Sequence, residues 1–300
     1  MRRAPLAIVA ALCACRRDPP RPAPLRPEMF PYRGQACAFD VNGPVVGGAA
    51  SPHAEAGVAS RRPRDVHLAL RDDGRSLIAR WSTEPGVMAS ELRLQPQAGG
   101  AERVERGWST LDPQRRDLRW HEVVVCGLSP ATRYVYTVGG AASRSNPASF
   151  TTAPSLAVPV VLAVATDAVG WVASSGDIAR ARPDALVVPW SEGLPPRAAL
   201  DRAAALLAST PLITRGQVAR YGTLSFGGEG PWVMHDVDVV SRRVDGGDAR
   251  RSLSAGGGWG ALTVHPNRAT WSPAAGEGGW DWDLSAPAAR DAGTTARPGS

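Results

Sequence analysis

The sequence predicts a two-domain protein in which an all-β antiparallel sandwich is followed by an α/β layer. Short alternating segments, separated by Gly, Asp, Asn and Pro, occupy residues 63–154 and are typical of a sandwich. After Pro154, apolar segments alternate with helical ones, which indicates parallel strands joined by helices. The 300 residues of the chain are enough for about two domains.

Five segments predict strands of the sandwich. They are DVHLALR (65–71), SLIARWS (76–82), ASELRLQ (89–95), HEVVVCGL (121–128) and TRYVYTVGG (132–140). The stretch GLSPATRYVYTV has the form L-x-P-x-[ST]-x-Y, which is typical of a tyrosine corner at the start of a strand. We therefore expect the hydroxyl of Tyr134 to bond to nearby backbone while its ring packs in the core. This role is architectural rather than catalytic.

Four stretches give residues 63–154 a family resemblance: PRDVHLAL, LIARWST, HEVVVCGLSPATRYVYTV and SNPASFTTAP. With them, this segment resembles a fibronectin type III-like domain, and more narrowly the N-terminal domain of purple acid phosphatase-like metallophosphoesterases. In that family the sandwich leads directly into the catalytic domain. The resemblance therefore implies that residues 155–287 form a metallophosphoesterase-like α/β domain, which is truncated here.

The segment after Pro154 has the order β-α-β-α-β. Apolar runs predict strands within 159–170, over 185–188 and at PLITRGQ (211–217). A first helix begins at a cap formed by Ser174 or Ser175, and we interpret Asp177 in SGDIA as part of this cap.

The second helix is predicted over PPRAALDRAAALLAST, residues 195–210. Proline stands at its start, which is a favourable position for that residue. The spacing of Leu200, Ala204 and Leu207 places these three side chains on one face. We expect this face to pack on the sheet.

The resemblance implies a di-metal site, which activates water and braces phosphoryl oxygens. The family presents its ligands as GD, GDxxY and GNHE after three successive strands, followed by a lone His and GHxH. Only Asp167 matches, after the first strand. The second position reads WS at 190–191, next to Glu192, and the third reads GQVA at 216–219, which keeps only the amide of Gln217. No HxH occurs, and the segment that should carry the other His ligands is missing. We interpret PLITRGQVAR as a former site that has lost its ligands.

Three functions remain open. The first is a lipoprotein without catalysis, which acts as a binding or structural module and needs no cofactor. The second is a metal-dependent phosphoesterase with an altered site around Asp167, Glu192, Gln217 and His235, holding two iron, zinc or manganese ions. The third is an adhesin for carbohydrate or protein, whose sandwich or a tryptophan face engages the partner. The tryptophans of that face would be Trp259, Trp271, Trp280 and Trp282.

The N-terminal stretch MRRAPLAIVAALCACRRDPP has the features of an export signal. Its apolar run is too short to span a bilayer and fits the h-region of a secretory signal. The run ends in LCAC, which resembles the bacterial lipobox. On that resemblance residues 1–15 are a lipoprotein signal peptide and Cys15 is the lipid-attachment site, with Cys13 as the second choice. A plain signal peptide with incidental cysteines is the alternative.

The predicted lipid places the protein in the cell envelope. Arg16, rather than Asp, follows the lipobox cysteine, which favours the outer membrane by resemblance to known sorting rules. Residues 16–62 are rich in Pro and Arg and predict a semi-rigid tether and loop. Residues 288–300 predict a disordered tail. The expected partners are the membrane, through the lipid, and an unidentified envelope or extracellular protein or polysaccharide.

Cysteine content and charge narrow the remaining chemistry. Cys37 and Cys126 could pair in an exported protein, but their separation in space does not follow from the sequence. Without CxxC spacing they are a poor metal site.

The net charge is +6 and comes from arginine alone, since the chain has no lysine. This fits a coding bias and a solvated surface, and we expect no nucleic-acid partner.

Overall fold

The computed structural model describes most of the chain between residues 60 and 283 and three short pieces before it. The described residues are 32–33, 37, 40–41, 60–71, 75–112, 115–154, 159–166, 170–191, 197–215, 219–221, 224–226, 235–238, 243–246, 249–252, 256–265, 268–276 and 278–283. The predicted signal peptide, the lipid-attachment site at Cys15 and the predicted C-terminal tail lie outside them. In the described part, no helix is both long and apolar enough to cross a membrane.

Two antiparallel sheets form a sandwich over residues 64–151. Its strands are β3 (Arg64–Arg71), β4 (Ser76–Thr83), β5 (Glu91–Pro96), β6 (Arg103–Arg106), β7 (Trp108–Leu111), β8 (Arg119–Val125), β9 (Arg133–Val138) and β10 (Ala148–Thr151). One sheet has the order β3-β4-β8-β7 and the other β10-β9-β5-β6. The five predicted segments coincide with β3, β4, β5, β8 and β9, whereas β6, β7 and β10 were not predicted. An earlier short hairpin pairs β1 (Tyr32–Arg33) with β2 (Asp40–Val41).

The tyrosine corner predicted at Tyr134 is confirmed. The backbone N–H of Ser129 donates to the Tyr134 hydroxyl at 3.0 Å. The ring is buried in the sandwich core and stacks on Phe150 with centroids 5.6 Å apart. The hydroxyl therefore fixes the turn before β9 while the ring contributes apolar burial.

Three parallel strands follow, in the predicted β-α-β-α-β order. The elements are β11 (Val160–Ala165), a 3-10 helix (Gly170–Ser174), α1 (Ser175–Ala181), β12 (Ala185–Ser191), α2 (Arg197–Ser209) and β13 (Leu212–Arg215). β11 pairs in parallel with β12, and β12 with β13. Apolar side chains line both faces of these strands. On one face they pack with the helices, and on the other they form a second cluster with residues of neighbouring strands in the same sheet, among them Leu262 and Trp271.

Two predicted details of the helices are wrong. Ser174 is the N-cap of α1, but no side chain caps the helix, and Asp177 lies in the first turn, where it pairs with Arg180. Asp177 thus interacts with the positive helix N-terminus as a charge rather than as a cap. In α2, Ala204 is exposed, and Ala203 is buried in its place beside Leu200 and Leu207. Residues 200, 203 and 207 have the i, i+3, i+7 spacing of one helical face, and the backbone departs from helical geometry at Ala203 (φ −115°, ψ 17°).

The parallel strands and the sandwich share one sheet. On one side, β11 is followed by β19 (Gly256–His265), β20 (Arg268–Ala275) and β21 (Trp280–Asp283), which are antiparallel. On the other side β13 pairs in parallel with β3, with Leu212 opposite Ala69. A ten-stranded sheet therefore runs through both predicted domains. The domain boundaries themselves stay predictions.

A separate sheet has five strands in the described part of the chain. It comprises β14 (Ala219–Tyr221), β15 (Leu224–Phe226), β16 (His235–Asp238), β17 (Arg243–Gly246) and β18 (Ala249–Ser252). β15 and β16 are parallel, and the other neighbours are antiparallel.

Two further links fix the sandwich to its surroundings. The hydroxyl of Tyr136, in the sandwich core, donates to the carbonyl of Ala208 in α2 at 2.6 Å, and burial raises the pKa of this tyrosine. Cys37 and Cys126 form a disulfide, with Cα atoms 5.1 Å apart. This bond holds the region of the β1–β2 hairpin against the outer face of β8. The pairing that the sequence left open is thus present.

Candidate functional site

The edge of the sheet where β11, β12 and β13 end is the candidate functional site. In open α/β sheets, ligands bind outside the carboxyl ends of parallel strands. Thr166 directly follows β11, β12 ends at Ser191, and β13 ends at Arg215. Ser191 and Arg215 are paired neighbours, so two of the three ends are adjacent in the sheet.

Of the four predicted ligand residues, the structure describes only the backbone of His235. Asp167, Glu192 and Gln217 lie outside the described residues. Each follows the end of β11, β12 or β13 within two residues, so the segments that carry them leave the same edge. His235 begins β16 in the separate five-stranded sheet, opposite Leu224, and its side chain also lies outside the described part.

Residues 190–191, expected in the turn after the second strand, lie inside β12. The predicted strand covered only residues 185–188, whereas β12 continues to Ser191 after a register shift beyond Val188. The shift lets Ser191 pair with Arg215 of β13. The strand is therefore longer than its apolar run, because pairing with a neighbour extends it.

The end of β11 is held by an apolar layer and one backbone hydrogen bond. Thr166 is buried and donates its N–H to the carbonyl of Gly258 at 2.8 Å. Trp171 of the 3-10 helix and Trp259 of β19 pack in the core on this side of the sheet. The end of β11, next to Thr166, is therefore fixed in the sheet.

The three residues described at the strand ends are not typical ligands of a di-metal centre. Hard cations in hydrolases are held by carboxylate, amide and imidazole ligands, whereas the described strand ends carry Thr166, Ser191 and Arg215. A guanidinium stays protonated and has no acceptor. Elsewhere in the described part, no three His, Cys, Asp or Glu side chains lie close enough together to hold a metal ion.

His121 is a buried histidine that the sequence did not single out. Its Nε2 lies 2.7 Å from the Thr83 hydroxyl and its Nδ1 lies 2.9 Å from the Ser90 hydroxyl. The ring stacks on Trp81 at 5.1 Å. Burial, with a smaller contribution from the charge of Arg119, lowers the pKa of His121 to about 3. The imidazole is neutral and enclosed in the sandwich, so its role is structural.

A buried ion pair lies on the opposite face of the same sheet. Nε of Arg80 donates to Oε2 of Glu122 at 2.6 Å, and their side chains are 1% and 2% exposed. In the sheet register Arg80 is paired with His67 on one side and Glu122 on the other. The sequence favoured a solvated arginine surface, and for Arg80 this is wrong because the outer face of β4 is covered as well. Ile78 is an apolar residue on the same face of β4, and it could have indicated that this face is covered.

The tryptophans of the predicted binding face are not all accessible. Trp259 and Trp271 are only 8% and 1% exposed and belong to the cores on the two sides of the sheet. Trp280 is partly buried and packs against the same core as Trp271. The side chain of Trp282 lies outside the described residues. The prediction that Trp259 and Trp271 belong to an accessible aromatic platform is therefore wrong.

The strands β3 to β10 form an N-terminal β-sandwich that is joined to an α/β layer. Residues 63–152 match the family model described as "Purple acid Phosphatase, N-terminal domain". This segment is therefore similar to the N-terminal domain of purple acid phosphatases.

Two solved structures are similar to this chain. One is a purple acid phosphatase from yellow lupin (Lupinus luteus) seeds, with 11% identity and a TM-score of 0.42, covering 53% of this chain and 35% of that one. The other is a structure of PhoD, with 12% identity and a TM-score of 0.38, covering 53% of this chain and 40% of that one. The chain thus spans less than half the length of either. A search of curated proteins found no match.

Proposed function

We propose that this chain is a cell-envelope lipoprotein, related to purple acid phosphatase-like metallophosphoesterases, that acts as a binding or structural module without phosphoesterase chemistry. The observation that carries the proposal is the set of residues at the three strand ends. At the family's ligand positions at or just beyond these ends, Asp167 is a carboxylate and Gln217 keeps an amide, whereas 190–191 read Trp-Ser and 218–219 read Val-Ala.

The chemical argument concerns charge. Two metal ions that activate water and neutralise phosphoryl oxygens need several anionic or imidazole ligands between them. Asp167 is the one carboxylate at a family-matching position. One carboxylate and a neutral amide do not hold two hard cations in the way that this family does.

The rest of the chain suits a rigid module on a tether. The ten-stranded sheet joins the sandwich to the α/β layer, and the bond from Tyr136 to Ala208 adds a polar link between them. The proposed lipid on Cys15 and the Pro/Arg-rich residues 16–62 would hold this module away from the membrane surface. Its partner would be an envelope or extracellular protein or polysaccharide.

The decisive experiment measures metal content by mass spectrometry on the full chain, purified without chelators, beside an assay with p-nitrophenyl phosphate. We expect metal well below one ion per chain and no turnover. Iron, zinc or manganese near two per chain, lost in Asp167→Ala but kept in the control Asp177→Ala, would overturn the proposal. That result would establish the alternative, a metal-dependent phosphoesterase. Asp177 is a suitable control because it lies exposed in α1.

Lipid attachment needs its own test. The full chain, expressed in a bacterium with an alkyne-labelled fatty acid, is expected to carry the label and to lose it in Cys15→Ser. The matched variant Cys13→Ser should keep the label. Absence of label from the parent chain would contradict the lipoprotein part of the proposal and leave the metal result unaffected.

A further inference from the structure

A polar cleft opens at the amino edge of the parallel strands, opposite the edge discussed above. Its volume is about 470 Å³, within the range of small-ligand sites. One wall comes from β9 and β10 of the sandwich. The other comes from the turn between α1 and β12 and from the end of α2. The polar residues that matter for recognition are Arg133, Ser149, Thr151, Arg182 and Asp184.

Each wall of the cleft contributes one exposed arginine. Nη2 of Arg133 donates to the Ser149 hydroxyl at 2.9 Å, which orients its guanidinium. Arg182 ends α1 in the left-handed conformation (φ 50°, ψ 54°), and its backbone N–H bonds to Ala179. Among the described residues, neither guanidinium has a carboxylate within ion-pair distance. This distinguishes them from arginines such as Arg93 and Arg106, which do.

The one carboxylate in the cleft wall is bound to the backbone. Oδ2 of Asp184 accepts the N–H of Val161 at 2.7 Å, and the N–H of Asp184 donates to the carbonyl of Val161 at 2.7 Å. This pair of bonds joins the turn before β12 to β11. Burial raises the pKa of Asp184. The described lining of the cleft therefore carries two arginines and one carboxyl group.

Hydroxyl donors lie beside the arginines. Ser149 and Thr151 are two residues apart in β10, and the side chain between them, Phe150, points into the sandwich core. Both hydroxyls therefore face the same side of the strand. Two guanidinium groups with neighbouring hydroxyls form a donor set that suits planar or tetrahedral oxyanions.

We propose that this cleft binds a small ligand through an oxyanion group, a phosphate or a carboxylate, that is held by Arg133 and Arg182. The site lies at the opposite edge of the sheet from the carboxyl ends of β11, β12 and β13, and it uses neither a metal nor those strand ends. The proposal therefore stands or falls independently of the proposed function.

The test is a titration of the full chain with inorganic phosphate and, in a second arm, with malonate, at constant ionic strength. Binding is followed by the Nε–H NMR signals of Arg133 and Arg182, assigned with Arg133→Gln and Arg182→Asn. Asparagine is chosen at residue 182 because it tolerates the left-handed backbone. The matched control is Arg116→Gln, an exposed arginine of the sandwich without an ion-pair partner in the described part.

We expect saturable shifts of both arginine signals. Each cleft variant should weaken binding about tenfold, as loss of a charge-assisted hydrogen bond predicts, and the control less than about twofold on the same grounds. Binding of phosphate alone, malonate alone or both supports the proposal and identifies the anion class. It is overturned if neither anion gives a saturable shift, or if the control weakens binding as much as the cleft variants. Thermal unfolding of each variant checks that the fold is kept.

Discussion

Acidification should destabilise this protein through His121 in a predictable range of pH. The folded-state pKa of His121 is about 3, against 6.5 for an unperturbed histidine. The unfolded chain therefore takes up a proton as the pH falls below 6.5, while the folded chain does not. Stability linked to this residue is fully present above pH 6.5 and is lost progressively down to pH 3. From pH 7.5 to pH 5 the loss amounts to about 2 kcal/mol.

The measurement is urea unfolding followed by tryptophan fluorescence at pH 7.5 and pH 5. The perturbation is His121→Phe, which keeps an aromatic ring against Trp81 but cannot titrate. This variant should be less stable than the parent at pH 7.5, because it leaves the hydroxyls of Thr83 and Ser90 without their partner. Its loss of stability between the two pH values should be smaller than that of the parent by about 2 kcal/mol.

The matched control is Val123→Ala, two residues along the same strand and fully buried in the same core. It removes apolar volume without a titrating group, so it should lower stability equally at both pH values. If His121→Phe and the parent chain lose the same stability between pH 7.5 and pH 5, the buried neutral histidine is not the cause and the reasoning fails.

Three further perturbations test the fold by urea unfolding. Tyr134→Phe should cost about 1 kcal/mol, because the N–H of Ser129 loses its acceptor; an unchanged midpoint would contradict the tyrosine corner. Gly107→Ala should cost about 1–3 kcal/mol, since the new Cβ would lie 1.8 Å from a backbone oxygen of β8; wild-type stability would show that β7 does not approach β8 so closely. Replacing Cys37 and Cys126 by Ala should cost about 4–5 kcal/mol for a loop of this length, given their separation of 89 residues; a loss below about 1 kcal/mol would refute the entropic account.

The candidate site was only partly predictable. Local sequence identified the ends of β11 and β13, because a polar turn after an apolar run is a local signal, and Asp167 as a metal ligand stays a prediction. It misjudged residues 190–191, since the pairing of Ser191 with Arg215 extends β12 beyond its apolar run. The cleft with Arg133 and Arg182 had no sequence signal, as its two walls are 49 residues apart in the chain and meet only in the folded protein.

His121 and Arg80 show why burial was harder to predict than strand position. His121 lies on the same face of β8 as the core residues Val123 and Val125, because side chains two residues apart share a face of a strand. The alternation could therefore have predicted that His121 lies inside the sandwich. Arg80 alternates to the other face of β4, and alternation assigns that face to solvent by default. Its burial depends on what covers the outer face, which is a long-range property.

By itself the sequence determined five of the eight strands of the sandwich, the tyrosine corner and the β-α-β-α-β order, because alternation, turn residues and helix spacing act over a few residues. Only the tertiary structure decided that β13 pairs with β3, so that one sheet crosses both predicted domains. Strand pairing is a contact between segments that are distant in the sequence. The unpaired backbone N–H and C=O groups of an edge strand can form hydrogen bonds with any strand that lies beside it. The sequence pattern of β3 does not indicate which strand pairs with it.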